Sequence, residues 1–216
     1  MKILVLSDLH YPMPYSRYYK KIIKKEKPNI VVLLGDVVAP KTPKDALPLY
    51  SKFMQGYQKT FPTEKTVILL GDNEGRLEDY SINQSVVHFL EGIKKLNGGL
   101  IYYRYKNLFF FHGNIEKSFS HEKIGRIILG LAYPIEKRIM PYVLIKLVRI
   151  IFKLKKTDIP MLGHLHYLGF SDGGVFCGTF MRKKIVYERP ESLGYVTIID
   201  KGGKKISMQD ITLHRL

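Results

Sequence analysis

The 216-residue sequence predicts an α/β fold, and three observations carry that prediction. In the first half, apolar strand-like runs alternate with amphipathic helical patterns, the signature of βαβ units. In the second half, short apolar segments are separated by the paired glycines Gly98-Gly99, Gly173-Gly174 and Gly202-Gly203. Two of the runs, VVLLGDVV (31–38) and VILLGDNE (67–74), also end in the same Gly-Asp step and then diverge.

Five runs read as strands covered on both faces: KILVLSDLH (2–10), IVVLLGDVV (30–38), TVILLGDNE (66–74), LFFFHGN (108–114) and IPMLGHLH (159–166). Between the first two, Tyr15, Tyr18, Tyr19, Ile22 and Ile23 recur at helical spacing with Lys20, Lys21, Lys24 and Lys25 opposite, and Pro28 ends the element. Further helices are predicted over Pro43 to Tyr57 and over Ser85 to Lys95. After residue 98, GGLIYYRY, GGVFCGTF, KKIVYE, LGYVTIID and KKISMQDITL predict strands, mainly in hairpins. Residues 122–156 form a basic helical insertion. No repeat of fixed period is present, so residues 1–216 are expected to form one domain.

A chain of this length buries about two-thirds or more of its unfolded surface. Its 35 basic and 19 acidic residues give a net charge of +16, which calls for an anionic partner but does not choose among nucleic acid, membrane and phosphorylated substrate. One cysteine, Cys177, excludes an internal disulfide and suits a reducing compartment. Asp8 and His10 arrive too early for a secretory leader of about 7–15 apolar residues. Lys146 and Arg149 interrupt the longest apolar stretch before it reaches the roughly 18 residues of a membrane span. The expected location is cytoplasmic, with peripheral membrane contact as an extension.

Each of the five runs stops at residues able to bind a cation, and in open α/β sheets such groups gather beyond the carboxyl ends of the strands. Asp8 with His10, and His164 with His166, are spaced i, i+2, which on a strand-like backbone points both side chains the same way. With Asp36, Asp72 and His112 they make four imidazoles and three carboxylates and no thiolate. That mixed set suits manganese, iron, cobalt, nickel or zinc better than calcium or copper(I). Two adjacent cations about 3.5–4 Å apart can orient a phosphate and activate a water for in-line attack.

The ordered series D-x-H (Asp8, His10), G-D (Gly35, Asp36), GDNE (71–74), H-G (His112, Gly113) and G-H-x-H (Gly163 to His166) resembles the calcineurin-like metallophosphoesterase superfamily. The resemblance spans residues 8 to 166. It implies a two-sheet β-sandwich flanked by helices. It further implies that Asp8, His10 and His166 hold one metal, that Asp36 bridges, and that Asp72, His112 and His164 hold the other, with a metal-bound hydroxide attacking phosphorus.

GDNE departs from that family's G-N-H-[DE] pattern. Aligned without a gap, Asp72 takes the place of the family's asparagine ligand and Asn73 that of its histidine. A one-residue shift instead makes Asn73 the ligand. An aspartate can ligate, but an asparagine amide cannot act as a general acid near neutral pH. This favours substrates with good leaving groups, such as pyrophosphates, or a donor from elsewhere: Arg76, His88 or His121. Arg76 is the candidate phosphate clamp, because guanidinium matches phosphate bidentately.

In the insertion, Lys146, Arg149, Lys153 and Lys156 form a narrow basic stripe, and the rest of the helix circumference is apolar. Such a helix is expected at an anionic membrane surface through residues 123–156, as a lid, at a dimer contact, or wedged between the body of the domain and a neighbouring element. The insertion is similar to the lid of the UDP-diacylglucosamine pyrophosphohydrolase branch. The alternatives are a nuclease or nucleic-acid-binding phosphodiesterase, motivated by Tyr15, Tyr18 and Tyr19 beside Lys20 and Lys21 and by IYYRYK (101–106), and a catalytically weakened scaffold of the same fold.

Overall fold

The apolar runs become strands because both of their faces are covered. In the computed structural model, which describes residues 1–71, 73, 93–95, 101–113, 141–180 and 192–216, eleven strands are laid down. They are β1 (Lys2–Ser7), β2 (Ile30–Leu34), β3 (Thr66–Leu69), β4 (Ile93–Lys95), β5 (Ile101–Tyr105), β6 (Leu108–Phe111), β7 (Ile159–Leu162), β8 (Leu168–Ser171), β9 (Gly174–Cys177), β10 (Gly194–Ile199) and β11 (Ile211–Arg215). They form two sheets, ordered β11-β10-β1-β2-β3 and β4-β5-β6-β7-β9-β8. The pairs β1–β2, β2–β3, β6–β7 and β7–β9 are parallel, and the outer pairs are antiparallel.

Alternate residues of each strand face opposite layers. Val5, Val32, Leu34, Leu69, Phe110, Met161, Val175 and Val196 fill the space between the sheets. Their neighbours Leu4, Leu6, Val31 and Leu33 face outward, under the helices α1 (Tyr18–Glu26) and α2 (Pro43–Gln58), where Tyr19, Ile22, Ile23, Tyr50, Phe53 and Tyr57 cover them. On the second sheet, Phe109, Phe111, Leu162 and Phe176 face the other way and meet α3 (141–151). The layers are therefore helix, sheet, sheet, helix. Full burial of each Val or Leu contributes about 1.5–3 kcal/mol, and a run buried on both faces must be apolar at every position.

The helix ends follow from local chemistry. Thr42 and Asp45 form a capping box at the start of α2, with Asp45 Oδ2 accepting from the Thr42 backbone N–H at 3.0 Å. Lys27 closes α1 in the left-handed conformation directly before Pro28.

Two expectations change. Over Ser85 to Lys95, residues 93–95 are a strand paired with β5, Ile93 opposite Tyr103, so the predicted helix does not extend to Lys95; residues 85–92 lie outside the described residues. KKIVYE also lies outside them. In the last segment, Met208–Asp210 is a short 3₁₀ turn with its own capping box, and only Ile211–Arg215 is strand.

The described part of the basic insertion is α3 and the residues just after it. Its wide apolar face is used inside the molecule: Leu144, Ile145, Val148 and Phe152 are buried against the second sheet. Arg149 is drawn inward as well, donating to the carbonyls of Lys155 (2.9 Å) and Asp158 (3.0 Å), and Lys146 pairs with Asp172 at 3.2 Å. Tyr142, Leu147 and Ile150 stay exposed, Ile150 at 72%. No helix among the described residues is long and apolar enough to cross a membrane.

Candidate metal centre

The carboxyl ends of β1, β2, β6 and β7 open onto one rim where the two sheets meet, and the loops leaving them are tied to one another. Asp8 N–H donates to Gly35 O (3.2 Å), His10 N–H to Asp36 O (2.9 Å), Gly163 N–H to His112 O (3.1 Å) and Phe180 N–H to Asp8 O (3.0 Å). The candidate ligand positions are thus set by backbone bonds between loops.

The convergence of the i, i+2 pairs has a different origin from the strand pleat expected. β1 ends at Ser7 and β7 at Leu162, before either pair begins. Asp8 (φ 50°), His10 (φ 49°), Asp36 (φ 45°), His164 (φ 64°) and His166 (φ 48°) are all in left-handed backbone, which costs non-glycine residues on the order of 1–3 kcal/mol each. Such strain clusters where function requires a particular side-chain direction.

Asp8 shows how one carboxylate is aimed. Its Oδ2 accepts from Ser7 Oγ and from the His164 backbone N–H at 3.1 Å. Its Oδ1 is buried, has no hydrogen-bond partner among the described residues, and faces His166 Nε2 at 3.3 Å and His10 Nε2 at 3.9 Å. His112 is aimed the same way. Its Nδ1 bonds Leu34 O at 2.9 Å, which leaves Nε2 buried without a hydrogen-bond partner among the described residues and 3.6 Å from Asp36 Oδ1. Fixing one imidazole nitrogen on a carbonyl turns the other nitrogen's lone pair toward a cation.

Two groups result, Asp8–His10–His166 and Asp8–Asp36–His112, each with ligand atoms within 4.8 Å of one another. Asp36 faces both: Oδ2 is 3.9 Å from His10 Nε2, and Oδ1 points toward His112 and accepts the Asn73 N–H at 2.9 Å. His164 stands beside His112, ring centroids 5.4 Å apart, but belongs to neither group. Asn73 lies at the rim. Asp72, Arg76, His88 and His121 lie outside the described residues.

The electrostatics match a cation seat. Burial opposes ionisation of Asp8, but the imidazoles of His112, His166 and His10 outweigh it and hold its carboxyl well below the ordinary range. Burial also disfavours charge on His10 and prevails there, whereas at His166 Asp8 and Asp36 overcome it and raise the imidazole. A buried carboxylate that stays ionised, as at Asp8, and an imidazole nitrogen without a partner among the described residues, as at His112, are what a bound cation needs.

Glycine is required at two of the motif positions because the backbone runs against the ligands. A Cβ on Gly163 would collide with Ser7 Oγ and approach Asp8 Oδ2 to 2.9 Å. One on Gly71 would collide with Asp36 and approach His112 Nε2 to 2.9 Å. Sequence reasoning missed Ser7, the Leu34 carbonyl and Thr179, whose Oγ1 donates to Asp8 O at 3.2 Å. Only Ser7, adjacent to Asp8, carried any signal.

A family model described as calcineurin-like phosphoesterase matches residues 1–187. No curated protein matches at a significant level. Solved structures similar to this chain include Yfce, a phosphoesterase from E. coli, at 16% identity over 93% of this chain and 89% of that one, TM-score 0.45. An archaeal phosphodiesterase is similar at 16% identity over 99% and 100% of the two chains, TM-score 0.49.

Proposed function

The chain belongs to the calcineurin-like phosphoesterase family and is a metal-dependent phosphoester hydrolase; from that premise we propose a dinuclear centre acting on phosphoesters or pyrophosphates with good leaving groups. The observation that carries the reading is the pair of buried candidate ligand atoms, Asp8 Oδ1 and His112 Nε2, that have no hydrogen-bond partner among the described residues and lie in the two groups that share Asp8. Asp8, His10 and His166 would hold one divalent cation, and His112 the other, with Asp72 and His164 completing its set. Asp36 would bridge, since its two oxygens face different imidazoles. The mixed N/O donors favour manganese, with iron, zinc, cobalt or nickel as competitors.

Bound there, the cations neutralise phosphate charge and supply a water of lowered pKa for in-line attack. The chain's own residues orient and polarise. The Asn73 backbone N–H anchors Asp36, and its side-chain amide offers a hydrogen bond, without a proton to give, to a departing oxygen. Arg76 is the proposed phosphate clamp.

The test is metal content and hydrolysis of bis(4-nitrophenyl) phosphate by the purified protein and its Asp36→Asn variant. About two ions per chain are expected, with occupancy and rate lost together in the variant and in chelator. Full metal content and rate in Asp36→Asn would overturn the reading.

The finer reading of a substrate at an anionic surface keeps one supporting feature, the exposed Ile150 and Leu147 on α3 beside the exposed Lys153. Apolar side chains flanked by cations are the contacts an anionic leaflet accepts.

A further inference from the structure

Ser7 is the last residue of β1 and stands opposite Leu34, the last of β2. By the alternation of a strand its side chain continues the row of Ile3 and Val5 into the space between the sheets, and it is wholly buried there. Serine is mostly exposed in folded proteins, and a buried hydroxyl costs stability unless it is hydrogen-bonded. A third aliphatic residue would suit that row. What serine adds in its place is the bonds of one hydroxyl.

Those bonds reach both halves of the candidate metal centre. Ser7 Oγ donates to Asp8 Oδ2, and it lies 3.1 Å from Leu34 O, the carbonyl that accepts from His112 Nδ1 at 2.9 Å. Together with the His164 backbone N–H at 3.1 Å, Ser7 holds Oδ2 from two sides. A carboxylate fixed through one oxygen has its other oxygen aimed, and here that is Oδ1, facing His166 and His10. Asp8 belongs to both candidate ligand groups, so one side-chain torsion serves both. The chain leaves room for this hydroxyl at Gly163, where any Cβ would collide with it.

We propose that Ser7 is a positioning residue for both cation seats, its hydroxyl locking the Asp8 carboxylate and steadying the Leu34 carbonyl that turns His112; this rests on the dinuclear reading above. Ser7 would touch neither cation nor substrate and would act through Asp8 and His112.

The test is calorimetric titration of the metal-free full chain with Mn²⁺, beside denaturant unfolding in chelator. Ser7→Ala should bind both ions about 10–100-fold more weakly, the loss typical of removing a hydrogen bond behind a metal ligand, while its metal-free form still unfolds cooperatively. Ser7→Thr, which puts the hydroxyl back, should recover most of that affinity. Should the alanine variant not fold, Ser7→Cys, which fills the space but donates weakly, takes its place with the same expected loss. Parent affinity in Ser7→Ala, a loss confined to one ion, or equal losses in Ser7→Ala and Ser7→Thr would overturn the role of Ser7 and leave the dinuclear reading standing. A parent chain that takes up no Mn²⁺, or one ion only, would overturn the dinuclear reading and the role of Ser7 with it.

Discussion

The Asn73 side-chain amide lies 3.5 Å from His10 Nδ1, while the Asn73 backbone N–H donates to Asp36 Oδ1 at 2.9 Å. The residue therefore faces into the candidate ligand cluster and touches both of its halves. An amide in that place can hydrogen-bond a developing charge but has no proton to transfer.

Asn73→His should accordingly speed hydrolysis of alkyl phosphoesters more than aryl ones, because only poor leaving groups need protonation. General acid assistance is worth about 10²–10⁴-fold, and the selectivity change should fall at or below that range. Metal content measured beside the rates makes the comparison fair. Equal acceleration of both classes with metal unchanged would show that the leaving group is not what Asn73 limits.

Much of this was legible in the sequence because it depends on patterning and order. Apolar runs such as VVLLG become buried strands wherever both faces are covered, and the ordered Asp8, Asp36, His112 and His166 converge because parallel strands deliver their ends to one rim. What was not legible depends on backbone conformation and tertiary partners. Nothing in D-x-H announces left-handed φ at Asp8 and His10. Nothing in LFFFHG says that Leu34 O will orient His112. The sequence predicts strands beyond residue 98 at β5, β6, β7, β9 and β10 but a helix over Ile93–Lys95, since a three-residue edge strand has too few residues to show a period of two. On α3, the sequence leaves open whether the apolar surplus meets a membrane, a second copy or the body of the domain, because Phe109, Phe111 and Phe176, which cover Leu144, Ile145, Val148 and Phe152, come from other elements.

The contact between α1 and the inner strands β10 and β1 of the first sheet predicts a pH effect on stability. Tyr195 Oη donates to Glu26 Oε1 at 2.7 Å, and Lys2 Nζ lies 3.3 Å from Oε2. Burial opposes the charge on Glu26, but these two donors, with His214, outweigh it and lower its pKa below the ordinary 4.5. A carboxyl depressed in the folded state stabilises above its unfolded pKa and loses that contribution as pH falls through the folded value. Tyr195→Phe should cost about 1.5–3 kcal/mol near neutral pH, the range for a hydrogen bond to a charged group. Denaturant unfolding should show the gap between parent and variant narrowing below pH 4.5; a gap independent of pH would mean the hydroxyl acts through packing alone.

Arg149 and Lys153 share one stripe in the sequence but have different surroundings. Arg149 donates to the carbonyls of Lys155 and Asp158 and reaches Gly173 O at 3.4 Å, so it fastens the end of α3 to the turn before β7 and to the β8–β9 turn. Arg149→Ala leaves those carbonyls short of a donor and should destabilise the fold by about 1–3 kcal/mol, read by thermal or denaturant unfolding. Lys153, exposed and in left-handed backbone just past α3, and Ile150, 72% exposed, should be nearly silent in the same measurement. Their effect belongs to surface binding. Each cation near an anionic leaflet is worth about 1 kcal/mol at low salt, so Lys153→Glu should weaken binding to phosphatidylserine vesicles about tenfold or less, with the loss shrinking as salt rises. Ile150→Ser should remove a part that salt does not touch. Vesicle binding unchanged in the double variant, with stability intact, would take this face of α3 out of any membrane role.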